Sequence, residues 1–391
     1  MNLTKRIIFS AVLSVILPLG AQAGSEETAK NADIIKIGEV GSLTGSAAPL
    51  GKSGSKGIKL AVDELNAAGG IAGKKVQLFT IDSGSVPEQA KMAATKLIKE
   101  NEVIAILGEN ASSLSLAMAP VAQANQTPMI SPASTNPKVT EAGNYVFRVC
   151  FIDPFQGEVM AKFAKDTLKA KKVAILTDGK LEYSKGLAEF FRKTFTKDGG
   201  QVVFEQSFNS GDTNFKNQLT AIKSLPTDKS PDAIFIPSYP VEAAYIAKQA
   251  REIGITIPLL GGDGWDSSDF SKIAGGVSNA YFSNHYAVED KSPANQAFVT
   301  KFKKAYGELP DGSAAMGYDA TMVLADAIKR AKSLSQVDIG SAIAVTKDFQ
   351  GVTGKITLDS HRNAIKPAVV LKVENGQFKY FTTVNPTTPK V

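Results

Sequence analysis

Along most of the chain, short unbroken apolar runs alternate with longer stretches in which apolar residues recur every three or four positions. The short runs predict strands over 34–40, 75–81, 103–107, 128–130, 146–149, 172–177, 201–208, 233–237, 257–260, 280–283, 368–373 and 378–382. Several show little in/out alternation, the pattern of strands covered on both faces. The helical periodicity predicts helices over 55–67, 87–100, 113–124, 155–168, 181–197, 215–224, 241–253, 295–306 and 314–332. In the first of these, Ile58, Leu60, Ala61, Val62 and Leu65 form an apolar face before Gly69-Gly70, a natural C-terminal stop. A strand–helix–strand–helix order argues for parallel sheets wrapped by helices. There are too many strands for one ordinary doubly wound sheet, so two α/β lobes are expected. The first break between them is predicted near Cys150-Phe151-Ile152-Asp153-Pro154, where a strand ends before a new helix.

The first 23 residues stand outside this alternation. Lys5 and Arg6 precede an apolar stretch over 7–19, and Ala21-Gln22-Ala23 has the small-x-small form that a signal peptidase accepts. A cleaved signal peptide, cut after Ala23, is therefore expected. The alternative, a membrane anchor, needs ~20 apolar residues, and this run is shorter. No cysteine follows the leader, so no lipid anchor is expected. Residues 24–33 are polar and read as a disordered tail. The mature chain is expected to be exported, periplasmic and soluble, without membrane insertion.

Composition removes several classes of function. The net charge of +6 loses two positive charges with the leader, and the lysines are spread among acids without aromatic interleaving, so nucleic acid is not an expected partner. Cys150 is the only cysteine, and His285 and His361 are the only histidines. That excludes an intramolecular disulfide and leaves no Cys/His zinc set; no metal or cofactor is expected. Gly45-Ser46-Ala47-Ala48-Pro49-Leu50-Gly51-Lys52-Ser53 resembles a phosphate-binding loop. However, it has one residue too many between its glycines, and Pro49 removes an amide donor. Neither a Gly-x-Ser-x-Gly elbow nor a His-Glu-x-x-His motif occurs. No enzymatic activity is expected.

In such sheets, function lies in the loops beyond the carboxyl ends of strands. Two of these loops, 108–113 and 131–137, are rich in hydroxyls and open helices or turns. Two others, 237–239 and 261–265, carry Tyr239, Asp263 and Trp265. Ser112, at a helix start, offers a hydroxyl beside unpaired amides, which suits a carboxylate. Thr135 adds a donor from a second loop. Asp263, flanked by glycines that allow close approach, suits an ammonium. Together these residues describe a clamp for a zwitterion. Each also has a local explanation: Ser112 as an N-cap, Thr135 as turn chemistry, Asp263 as a helix cap, Tyr239 and Trp265 as packing.

From Ile35 to about Phe381 the chain resembles the periplasmic substrate-binding proteins for branched-chain amino acids, of the leucine/isoleucine/valine-binding type. The pieces that carry the resemblance are Ile37-Gly38 through Gly41-Ser42-Leu43-Thr44-Gly45, Asn66-Ala67-Ala68-Gly69-Gly70-Ile71-Ala72-Gly73-Lys74, and Asp82 with Pro87-Glu88-Gln89-Ala90. Ala133-Ser134-Thr135-Asn136-Pro137, Ala250-Arg251-Glu252-Ile253-Gly254, Gly261-Gly262-Asp263-Gly264 and Gly317-Tyr318-Asp319-Ala320 complete the series. The resemblance implies a type I periplasmic binding fold, with two doubly wound lobes joined by three crossovers and closing on one small ligand. It places lobe 1 over 34–151 plus 286–354 and lobe 2 over 152–285 plus 355–391, with further crossings near 283–286 and 351–357. It implies that Ser112, Ala133 and Thr135 meet an amino acid's carboxylate, that Tyr239 and Asp263 meet its ammonium, and that Tyr183 is a pocket aromatic of the second lobe. An ABC-type permease and its ATPase are the implied partners, and a monomer is expected. The alternative within the same fold is a soluble sensing receptor for a small amide or carboxylate. Leu50 stands where relatives often carry a tyrosine, and Ser184 stands where the usual loop has its first glycine.

Overall fold

The structure, a computed structural model, describes residues 34–386. The leader, its cleavage site and the tail over 24–33 lie outside the described residues. Lobe 1 opens with strand β1 (Ile34–Gly41), helix α1 (Ala48–Ala67), β2 (Lys75–Asp82), α2 (Pro87–Lys99) and β3 (Ala105–Leu107). It continues through α3 (Ser112–Ala124), β4 (Met129–Ser131), the short α4 (Lys138–Glu141) and β5 (Val146–Arg148). The strands form a five-stranded sheet in the order β2-β1-β3-β4-β5. The pairs β1–β3, β3–β4 and β4–β5 are parallel. The sheet order steps outward on both sides of β1, which leaves the carboxyl ends of β1, β3 and β4 facing one crevice, where ligands bind in open α/β sheets.

Lobe 2 contains α5 (Asp153–Lys162), extended by a wider π turn over Phe163–Thr167, then β6 (Lys172–Asp178), α6 (Glu182–Lys197), β7 (Gln201–Phe208) and α7 (Lys216–Lys223). After these come β8 (Ala233–Phe235), α8 (Pro240–Glu252), β9 (Leu259–Gly261), α9 (Ser268–Ala274) and β10 (Ala280–Asn284). The chain then returns to lobe 1 for α10 (Pro293–Tyr306), α11 (Gly312–Arg330), α12 (Gln336–Ala344) and a small sheet of β11 (Phe349–Gly351), β12 (Gly354–Leu358) and β13 (Ala364–Ile365). It ends with β14 (Ala368–Glu374) and β15 (Gln377–Val384) on the lobe 2 sheet, whose order is β15-β14-β10-β9-β8-β6-β7. The last two strands run antiparallel at its edge, so this sheet is mixed rather than wholly parallel.

The segment 355–365, expected in lobe 2, belongs to lobe 1. Ile356 and Leu358 alternate inward on β12 and join the apolar cluster of Ile35, Ile58, Phe147 and Leu324. The Arg148 amide also donates to the Arg362 carbonyl at 3.2 Å. The hairpin over 349–358 is therefore part of lobe 1 rather than a crossing, and the third crossing comes at Lys366-Pro367, just before β14. The first crossing is at Cys150–Ile152 and the second at His285-Tyr286, between β10 and the return to lobe 1.

Helices α1 and α11 pack closely at two glycines. A β-carbon on Gly57 would lie 1.9 Å from the Ala314 carbonyl oxygen, and one on Gly317 would lie 2.3 Å from that of Gly54. The loop resembling a phosphate-binding motif is absorbed by this arrangement. Helix α1 begins at Ala48 with Pro49 in its first turn, seven residues before the predicted start, so no amide cradle forms there. Apolar contact is continuous across the cleft from Val40 and Leu114 of lobe 1 to Tyr183, Leu187 and Phe191 of lobe 2.

Candidate functional site

Lobe 1 builds its wall from the loop after β3. The buried Glu109 carboxylate is the knot of this loop. It accepts from Ser42 Oγ at 2.9 Å, Ser83 Oγ at 2.8 Å and the amides of Asn110 and Ala111. Its backbone carbonyl accepts from the hydroxyls of Ser115, Ser131 and Ser134. Burial pushes the Glu109 carboxyl's pKa up, against the pull of these donors. With this loop pinned, Ala111 becomes the N-cap residue of α3 and Ser112 its first helical residue. Ser112 is therefore not a cap. Its Oγ accepts from the Asn136 amide at 3.3 Å and lies on the cavity wall.

Lobe 2 builds its wall from three loops. Tyr183, in the first turn of α6, accepts from the Gly264 amide at 3.1 Å and stacks on Tyr239, with centroids 5.5 Å apart. Burial raises the pKa of both phenols, and the charge of Asp263 adds to the rise for Tyr183, so both remain protonated at neutral pH. Asp263 opens a short 3-10 turn, and its amide donates to Gln156 Oε1 at 2.9 Å. The glycines beside it allow this approach. A β-carbon on Gly262 would lie 2.5 Å from the Tyr183 hydroxyl, and one on Gly264 would lie 2.7 Å from the Ser238 carbonyl oxygen. Asp263 caps no helix, since α9 is capped by Ser267. Instead, Asp263 Oδ2 lies 3.1 Å from His285 Nε2.

Five of the six candidate residues line one small cavity of about 20 Å³ between the closed lobes: Ser112, Ala133, Tyr183, Tyr239 and Asp263. Leu50, Asn110, Gly264 and Ser313 complete its wall. Thr135 does not line it. Its carbonyl accepts from the Asp153 amide at 2.9 Å, which draws the loop toward the first crossover, and its buried hydroxyl has no partner among the described residues. Trp265 is a core residue of lobe 2, packed on Phe270 and Phe282 and donating to the Ile236 carbonyl at 2.9 Å.

The electrostatics are lopsided. Among the described residues, Asp263 Oδ1 and Ser238 Oγ are buried without partners around this region, a costly condition that a ligand's polar groups would relieve. A second carboxyl, Asp153, is pushed up to about 8 by burial, with the charge of Asp263 adding to the rise. Gln156 stands between the two, donating to Asp153 Oδ1 at 3.3 Å while accepting from the Asp263 amide and Ser283 Oγ. Cys150 is buried, and its thiol is likewise held protonated by burial. The lobes meet at the cleft rim: Asn136 Nδ2 donates to the Glu182 carbonyl at 3.0 Å, the Glu182 amide to Ser113 Oγ at 3.1 Å, and the Gly312 amide to Asp266 Oδ2 at 2.6 Å. These bonds describe a closed cleft.

Residues 34–377 match the sequence profile described as periplasmic binding protein. The chain belongs to the periplasmic binding protein family. It is 30% identical over 83% of its length to the Leu/Ile/Val-binding protein BraC3 of Rhizobium johnstonii, covering 87% of that relative. Among solved structures, the leucine-binding protein LivK of Thermotoga maritima superimposes with a TM-score of 0.85 at 41% identity, over 90% of this chain and 99% of that one. The branched-chain amino acid transporter substrate-binding protein LivJ of Streptococcus pneumoniae, in complex with isoleucine, matches with a TM-score of 0.85 at 36% identity, over 90% of this chain and all of that one. The fold is thus the two-lobed type I periplasmic binding fold, and the family is one of transporter substrate-binding proteins. No helix among the described residues is long and apolar enough to cross a membrane.

Sequence reasoning missed Glu109, Gln156 and the role of His285. Only Glu109 left a signal, an acid at a strand end among serines. The other two act through contacts 22 to 127 residues apart in sequence.

Proposed function

We propose that this chain captures an amino acid, a branched-chain aliphatic one first, between its lobes and presents it to an ABC-type permease and its ATPase. The observation that carries this reading is the pairing of opposite chemistries across one cavity: an unpaired buried carboxylate oxygen on Asp263, and hydroxyl and helix-start donors around Ser112. The ligand's carboxylate meets the Ser112 hydroxyl and the Ala133 backbone, with Thr135 behind them on the same loop. Its ammonium meets Asp263 and Tyr239, and its side chain packs against Leu50 and Tyr183. The relatives support the ligand class, since their own names record leucine, isoleucine and valine. No covalent step is needed, so the chain is not an enzyme. A ligand that touches both lobes only when they are closed stabilises the closed state by that difference in contact. The leader over 1–23, cut after Ala23, delivers the protein to the periplasm, where it acts as a monomer.

Native mass spectrometry of the purified protein, followed by calorimetric titration with an amino-acid panel, tests the reading. Leucine, isoleucine or valine is expected to bind with a micromolar or tighter dissociation constant, about −8 kcal/mol or better. A preference for a ligand lacking an ammonium group would replace this reading with that of a sensing receptor for a small carboxylate. Loss of uptake on deleting the partner permease, with no change in any signalling output, separates transport from sensing.

A further inference from the structure

Asp263 is held by a residue that is not on the cavity wall. His285 follows directly after β10, on the second crossover, and its Nε2 lies 3.1 Å from Asp263 Oδ2. Both side chains are almost inaccessible, 2% and 9% exposed. The imidazole lies against Phe151 of the first crossover, with ring centroids 3.6 Å apart. Its other nitrogen, Nδ1, is buried and has no partner among the described residues. A proton there would leave an unpaired N–H in the interior, whereas a proton on Nε2 has a carboxylate to receive it. Burial pushes the pKa of His285 down and the Lys366 charge pushes it the same way, while Asp263 pulls it up. The ring is therefore the neutral Nε2–H tautomer, donating to Asp263.

We propose that His285 is a positioning residue for ligand binding: its Nε2–H pins Asp263 Oδ2, so that Oδ1 alone receives the ligand's ammonium, and its ring transmits that grip to the crossover. The proposal rests on the reading that Asp263 receives an ammonium. One carboxylate oxygen is capped by a neutral donor, which fixes the plane of the group without cancelling its charge. The other oxygen, buried and unpaired, is left for the ligand. Because the ring also lies on Phe151, the carboxylate is braced by two of the three strands of chain that join the lobes. A histidine that merely filled space would be replaced no better by glutamine than by leucine.

The test is calorimetric titration of wild type, His285→Leu, His285→Gln and Asp263→Asn with leucine, isoleucine and valine, with circular dichroism melts checking that each variant folds. Loss of one hydrogen bond to a charged group predicts roughly 10- to 100-fold weaker binding for His285→Leu. His285→Gln, whose amide N–H can reach the same oxygen, is expected within about threefold of wild type. Wild-type binding by His285→Leu, with binding lost in Asp263→Asn, overturns the positioning role and leaves the ammonium reading standing. Unchanged binding by Asp263→Asn, or a wild type that binds none of the three, overturns that reading and this proposal with it. Equal loss in the leucine and glutamine variants assigns the ring to packing and overturns the positioning role. If the leucine variant does not fold, nitrogen-15 spectra of the wild type decide. The chain has two histidines, and His361 is exposed. His285 is expected to hold the Nε2–H tautomer at neutral pH, with its Nε2 resonance moving on ligand addition. An Nδ1–H tautomer, or a resonance that leucine leaves unmoved, overturns the proposal.

Discussion

The two walls of the cleft reach similar precision by different routes. The lobe 1 wall is gathered around one loop within a single lobe. Glu109 binds amides one and two residues ahead of it, hydroxyls from Ser42, Ser83, Ser115, Ser131 and Ser134 converge on its carboxylate and carbonyl, and Ser112 follows at the start of α3. The lobe 2 wall draws on the crossovers as well. Tyr183, Gln156 and His285 reach Asp263 or its neighbour from three separate segments, and His285 lies on the second crossover. The first wall is set once the strands of lobe 1 are in place. The second exists only when the lobe and its crossovers are both in place. The first supplies neutral donors, and the second supplies a charge that needs support on every side, because an ionised group is expensive to bury without partners.

The largest break in this comparison is expected from Asp263→Ala. Truncating one partner of a buried charge-assisted pair should weaken amino-acid binding by about 2–5 kcal/mol in calorimetry, with the fold intact by circular dichroism. Affinity equal to wild type would remove Asp263 from the site. Ser112→Ala attacks the other wall and is expected to cost about 1.5–3 kcal/mol of the same affinity, the value of one hydrogen bond to a charged group. An unchanged dissociation constant would reduce Ser112 to scaffolding for Asn136.

Asp153 sharpens the contrast through pH. Its folded pKa is raised from 3.8 to about 8, chiefly by burial, so the folded state holds this proton more tightly than the unfolded chain does. The resulting stability is fully present below about pH 4 and is lost as pH rises through about 8. Melting temperature should therefore fall between about pH 5 and 8.5, and Asp153→Asn should remove much of that slope, worth on the order of 1–2 kcal/mol. Asp266, raised to about 7, and Asp311, raised to about 6, both mainly by burial, leave a residual slope of the same sign. A variant with the full wild-type slope would show that Asp153 is not the group responsible. The smallest effect is expected at the rim. Asn136→Ala removes the bond to the Glu182 carbonyl and should cost about 0.5–1.5 kcal/mol, seen in stopped-flow as faster ligand release. Unaltered release kinetics would mean that this bond does not contribute to closure.

Local pattern made much of the architecture legible. Strand β7 falls at its predicted bounds, and most other strands and helices lie within two or three residues of theirs, because unbroken β-rich runs and 3.6-residue periodicity are properties of adjacent residues. The short elements escaped: α4, α9, α12 and the strands β11–β13 have too few residues to show a period. The early start of α1 also escaped, because the Ser, Gly and Lys residues of its first turns carry little apolar signal and their helicity comes from packing against α11. The misplaced third crossing has the same cause. Nothing within 355–365 announces which lobe will receive Ile356 and Leu358, and the decision is made by the apolar cluster they enter.

The candidate site divides along the same line. Loop chemistry and the family's motifs singled out Ser112, Ala133, Thr135, Tyr183, Tyr239 and Asp263, since residue type and neighbouring glycines are written locally. Only the tertiary structure decided that five of these share one cavity while Thr135 stands behind it, that Ser112 lies inside its helix rather than capping it, and that Trp265 is core. It alone brought Gln156 and His285 to Asp263. Side-chain identity is carried by the chain one residue at a time, whereas desolvation and the pairing of distant polar atoms arise only when remote segments exclude water from between them.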